Sequence, residues 1–172
     1  MRIVLVLSLA AALCAVLFAG PNPKPTPKPR PTKAPVQSSC KAIWLFTTPC
    51  AEINSTLIQQ VKVFSPNAGC GDCNYLFVSA DNVTLTVDHT SADGFGAETI
   101  SFKFTPSLLA PGCQMFVQSQ SIGPTTTTDD AINYCNIYNL LTGSGLDLQP
   151  GFLDKTNKWV CPAIALTKCT TQ

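Results

Sequence analysis

Eight cysteines between residues 40 and 169 constrain this chain more than any other feature: Cys40, Cys50, Cys70, Cys73, Cys113, Cys135, Cys161 and Cys169. They follow the start "MRIVLVLSLAAALCAVLFAG", in which Arg2 precedes an unbroken apolar run that closes in small residues. That order is the pattern of a secretory signal peptide over residues 1–19, with Ala19 the last residue removed. The run is shorter than the about 20 apolar residues a membrane anchor needs, and no charged stop follows it. Removing the leader also removes Cys14. An even number of cysteines in a secreted chain reads as a disulfide framework. Spacing leaves the pairing open, because eight cysteines permit on the order of a hundred connectivities. No second long apolar stretch follows, so the mature chain is expected to be soluble and extracellular, without a transmembrane anchor.

The framework is preceded by an arm that cannot fold by burial. Residues 20–39 include "PNPKPTPKPRPTKAP" and carry Lys24, Lys28, Arg30 and Lys33 with no acid. Alternating proline fixes φ and removes amide donors, which favours an extended polyproline II rod. At about 3.1 Å per residue such a rod reaches roughly 45 Å. Residues 40–172 carry six lysines against ten acidic residues, a net charge of −4. A basic arm on an acidic body points to a separate contact role for the arm. The four cations are its candidate contacts with an anionic surface such as matrix, polysaccharide or mineral. Nothing in the charge pattern points to nucleic acid.

Periodicity organises residues 40–172 as one domain. In "TTPCAEINSTLIQQVKVFSPNAG", Ile53, Leu57, Val61 and Phe64 share one helical face, with Thr48 as cap and Pro49 at the first helical position. This predicts a helix over residues 49–64. Period two then takes over: "NYLFVSA" and "VTLTVDH" flank a turn at Asp81-Asn82, followed by "ETISFKF" and "CQMFVQSQSI". Asp129 and Asp130 suit the start of a second helix in "AINYCNIYNLLTGSG", and Gly143 and Gly145 suit its end. The segment 146–172 is expected to wrap the body, pinned by Cys161 and Cys169. The order helix, four strands, helix predicts a single disulfide-stabilised α+β domain: an antiparallel sheet of about four strands with helices on one face.

Chemistry-bearing motifs are sparse. "CGDC" at residues 70–73 has dithiol spacing, but a strand pattern follows it where redox chemistry needs a helix N-terminus. Cys70, Cys73 and His89 lack a fourth zinc ligand at sensible spacing. His89 is the one histidine, so any Ser-His-Asp arrangement must use it; at a strand end beside Asp88 it reads as a solvated side chain. No catalytic, cofactor or metal residue is assigned. Asn54-Ser55-Thr56 and Asn82-Val83-Thr84 are glycosylation sequons, with Asn82 at a hairpin tip and Asn54 beside the apolar helix face.

"GFGAETISFKF", "VQSQSIG" and "TTDDAINYCNIYNLL" resemble part of a family of uncharacterised domains found in bacteria and plastids. The matching positions are Glu98, Ser119, Ser121, Gly123, Asp129 or Asp130, and Asn133; Gln118 and Ile122 stand where that family has arginines. "NYCNIYNLLTGSGL" is similar to a segment of small secreted cysteine-containing animal proteins. The resemblance implies a fold and no particular activity. The leading expectation is a secreted, non-enzymatic, extracellular or matrix-associated glycoprotein whose arm contacts an anionic surface. The alternative is a binding module for a small apolar or lipid-like ligand, walled by "IWLF" and "FKF". A secreted enzyme acting through His89 is a third.

Overall fold

Alternation of buried and outward residues over residues 84–90, 97–106 and 113–121 builds the centre of one antiparallel sheet. The computed structural model describes residues 39–65, 73–91, 96–107, 111–122, 132–157, 159, 161 and 169. The expected signal peptide, the arm up to residue 38 with Lys24, Lys28, Arg30 and Lys33, Cys70, Gly123, Asp129 and Asp130 lie outside the described residues. The elements are β1 (Ser39–Phe46), α1 (Cys50–Val63), β2 (Tyr75–Ala80), β3 (Thr84–Thr90), β4 (Ala97–Pro106), β5 (Cys113–Ser121), α2 (Ile132–Gly143) and a two-residue β6 (Leu153–Asp154). The sheet has six strands in the order β2-β3-β4-β5-β1-β6, every neighbouring pair antiparallel.

The α+β class agrees with the sequence reading; the strand count of about four does not. The four expected strands are β2 to β5. The first missed strand, β1, lies between β5 and β6. Its inward residues Cys40, Ala42, Trp44 and Phe46 are all buried. Ile43 and Leu45 are apolar on its other face, so the segment reads as a continuous apolar run and its period is hidden. β6 is too short to show a period at all.

One face of the sheet is covered. Leu85 and Val87, then Ile100, Phe102 and Phe104, then Met115 and Val117, join the inward residues of β1. Ile53, Leu57 and Val61 of α1 meet that layer, as do Ile137, Leu140 and Leu141 of α2. The spacing of four in α1 therefore marks its buried stripe, as read from sequence. The capping expectation fails in detail. Pro49 holds the N-cap position without a side-chain cap bond, and Thr48 Oγ1 instead donates to Gln149 Oε1 at 2.7 Å. α2 ends at Gly143, and Gly145 follows with φ 70°, the left-handed turn that glycine permits.

Three disulfides fasten this layer: Cys40–Cys161, Cys50–Cys113 and Cys135–Cys169. They tie β1 to the C-terminal segment, the start of α1 to the start of β5, and α2 to the C-terminal segment. Cys73 is also disulfide-bonded. No described helix is long and apolar enough to cross a membrane.

Candidate functional site

Two arrangements stand out, one under the helices and one on the open face. The first follows from strand register. His89 continues the inward series Leu85, Val87; Glu98 begins the series Ile100, Phe102, Phe104; and Ser119 follows Met115 and Val117. Antiparallel pairing sets His89 opposite Glu98, and Ser119 opposite the neighbouring Ile100. Three polar groups thus meet at one end of an otherwise apolar face.

Glu98 is the centre of this cluster. His89 Nδ1 donates to its Oε1 at 3.2 Å, with both side chains at most 5% exposed. Asn136 Nδ2 donates to the same oxygen, and Ser119 Oγ donates to Oε2. Tyr75 extends the network: its hydroxyl donates to the Asn136 carbonyl at 2.8 Å and accepts from Asn139 Nδ2 at 3.3 Å. Its ring lies 4.5 Å, centroid to centroid, from the His89 imidazole. Beside it Asn133 Nδ2 and Ser121 Oγ are 3.4 Å apart. His89 is therefore not the solvated strand-end residue expected from its position beside Asp88.

The order of groups bears on chemistry. A nucleophile–base–acid relay needs the imidazole between hydroxyl and carboxylate. Here the carboxylate lies between Ser119 and His89, so it accepts the serine proton's hydrogen bond itself. His89 Nε2 is buried and meets no hydrogen-bond partner among the described residues. The geometry is that of a buried carboxylate satisfied by several donors, which a group of this kind requires in a low-dielectric interior. Glu98, Ser119, Ser121 and Asn133, singled out from sequence, come together here; His89, Tyr75 and Asn136 complete the cluster. The signal for His89 was its place in the alternation of β3.

The second arrangement is on the face the helices leave open. A trough of about 520 Å³ runs over β3, β4, β5 and β1. Pairing places Thr84, Lys103, Phe116 and Ile43 in one cross-strand row. Thr86, Ser101, Gln118 and Lys41 form the next. Lys103 and Lys41 line the trough, and among the described residues no acidic side chain does. Asp88 lies one row further along the same face and accepts from Thr99 Oγ1 at 2.8 Å. Among the described residues neither lysine makes an ion pair, so neither is neutralised there. The period of β4 places Lys103 outward, whereas the apolar run of β1 carries no period that would place Lys41 on the same face.

The expected aromatic walls face the other way. Trp44, Phe46, Phe102 and Phe104 fill the core, each at most 5% exposed. Phe116, 39% exposed, is the aromatic side chain of the open trough. Of the two sequons, Asn82 is exposed at the β2–β3 turn. Asn54 is buried, and its Nδ2 donates to the Asp81 carbonyl at 2.7 Å.

No family model matches the sequence, and no curated protein does. Among solved structures, an uncharacterised protein from Rhizobium leguminosarum is similar, with a TM-score of 0.39 and 10% identity. The superposition covers 66% of this chain and 97% of that one.

Proposed function

We propose that this chain is a secreted, non-enzymatic extracellular protein that binds an anion-bearing ligand on the open face of its sheet. The observation that carries the reading is that Lys41 and Lys103 both line a trough that has no acidic residue among its described lining residues. The surrounding residues 40–172 have six lysines against ten acids, so cations gathered without acids mark a local reversal of field. The volume falls in the range of small-molecule sites, roughly 300–1,000 Å³. Three disulfides and the signal-peptide pattern support an oxidising, extracellular setting. The inverted order of Ser119, Glu98 and His89 supports a structural role for the buried cluster over an enzymatic one.

The basic arm supports a second, compatible contact. Four cations and no acid in residues 20–39 suit weak attraction to anionic matrix, polysaccharide or mineral. Deleting residues 21–35 should weaken retention on a sulfated polysaccharide and leave the melting temperature unchanged.

The trough is tested with anilinonaphthalene sulfonate, an anionic aromatic dye. The native protein should bind it, and Lys41→Gln with Lys103→Gln should weaken binding about tenfold or more, as loss of charge-assisted contacts predicts. Equal affinity in the double variant overturns the reading.

A further inference from the structure

Besides Lys41 and Lys103, the open face carries an apolar stripe. Along β1 the outward residues are Lys41, Ile43 and Leu45, so one cation is followed by two apolar side chains in line. Phe116 pairs with Ile43 and Leu153 of β6 pairs with Leu45. The result is an apolar stripe of Phe116, Ile43, Leu45 and Leu153 that begins at the trough and runs to the sheet edge. Leu153 is 51% exposed, so this stripe remains open to water. Lys103, paired with Phe116, stands at the trough end of the stripe together with Lys41.

Strand geometry sets the dimensions. Four residues separate Lys41 from Leu45, about 13 Å along the strand, and Leu153 is one further strand away, about 5 Å. The site therefore has Lys41 and Lys103 at its trough end and an apolar floor beside them, with the exposed Lys155, whose amide donates to the Ile43 carbonyl at 2.8 Å, at the sheet edge. A polysaccharide would use hydroxyl and charge contacts throughout and leave the floor without a counterpart. A short inorganic anion would leave it bare.

We infer that this face binds one free, long-chain carboxylate amphiphile, with its head between Lys41 and Lys103 and its chain lying over Ile43, Leu45 and Leu153. The inference rests on the anion-binding reading above and adds the chemical class and direction of the ligand. The carboxylate gains charge-assisted hydrogen bonds from two ammonium groups. The chain removes its own surface and that of the stripe from water, which is where most of the affinity arises.

Isothermal titration of the full mature protein with dodecanoate, butanoate and dodecyltrimethylammonium tests it. Dodecanoate should bind with one-to-one stoichiometry, and butanoate at least about tenfold more weakly, because it lacks the buried methylenes. The cationic amphiphile should bind at least about tenfold more weakly than dodecanoate, since its head meets two like charges. Leu153→Ser, at an exposed position, should weaken dodecanoate about fivefold and leave butanoate unchanged. Lys41→Gln should weaken both carboxylates. Equal binding of dodecanoate and butanoate, with dependence on Lys41 kept, overturns the amphiphile and leaves the anion site standing. Carboxylate binding indifferent to both lysines overturns the site itself. Association with phosphatidylserine vesicles or with a sulfated polysaccharide, without binding of monomeric dodecanoate, also overturns the inference.

Discussion

Glu98 and His89 face each other across the β3–β4 ladder, Oε1 3.2 Å from Nδ1, beneath the covering helices. Truncating either partner leaves the other polar group buried and short of a partner. Glu98→Ala should therefore lower the unfolding free energy by about 3–5 kcal/mol, the cost of breaking a buried pair. His89→Ala should cost less, because Ser119 and Asn136 still satisfy Glu98. Urea denaturation of both single variants and the double variant gives the coupling. Additive losses would show that the pair contributes nothing of its own.

The disulfides differ in the length of chain they close. Cys40–Cys161 spans 121 residues and Cys135–Cys169 spans 34. Loop-closure entropy assigns the longer bridge about 5 kcal/mol and the shorter about 4 kcal/mol. Replacing Cys40 and Cys161 by serine should destabilise more than replacing Cys135 and Cys169, by about 1 kcal/mol. Urea midpoints of the two paired variants decide it, and the reverse order would contradict the entropic account. Thiol labelling of the native, denatured protein should detect no free thiol.

Asn54 and Asn82 carry the same sequon in opposite surroundings. Asn82 is exposed at a turn, whereas Asn54 is buried with its amide nitrogen already donating to Asp81. Expression in a eukaryotic secretory host should place a glycan on Asn82 and none on Asn54. Peptide mapping after enzymatic deglycosylation reports this as conversion of Asn82 alone to aspartate. Asn54→Ala should cost about 0.5–1.5 kcal/mol, the net contribution of the lost hydrogen bond to the Asp81 carbonyl.

Asp81 orders the same turn. Its Oδ1 accepts from the Val83 and Thr84 amides at 2.8 and 2.6 Å. The Val83 amide first, and then Thr84, hold its carboxyl below the ordinary value of 3.8. A carboxyl depressed in the folded state stabilises fully above its unfolded value and loses that contribution as pH falls through the folded value. The melting temperature of Asp81→Ala should thus lie below that of the wild type at about pH 6, and the gap should close towards about pH 2. A gap that widens on acidification would contradict this sign.

The sequence by itself determined the pieces that depend on neighbours along the chain. The spacing of Ile53, Leu57 and Val61 marked α1, and the alternations through Leu85 and Val87 and through Ile100, Phe102 and Phe104 marked the strands and their inward faces. Both signals are local, because side-chain direction follows from backbone period alone. What depends on pairing between distant segments was decided only in the tertiary structure. β1 is placed between β5 and β6 by contacts made more than 60 residues away, and a run that is apolar on both faces hides its own period. The partners of the cysteines, the meeting of His89 with Glu98, and the presence of Lys41 and Lys103 on one face, two strands and one row apart, all arise from register. Register is a relation between strands, set when the apolar faces close on one another, and no single strand carries it.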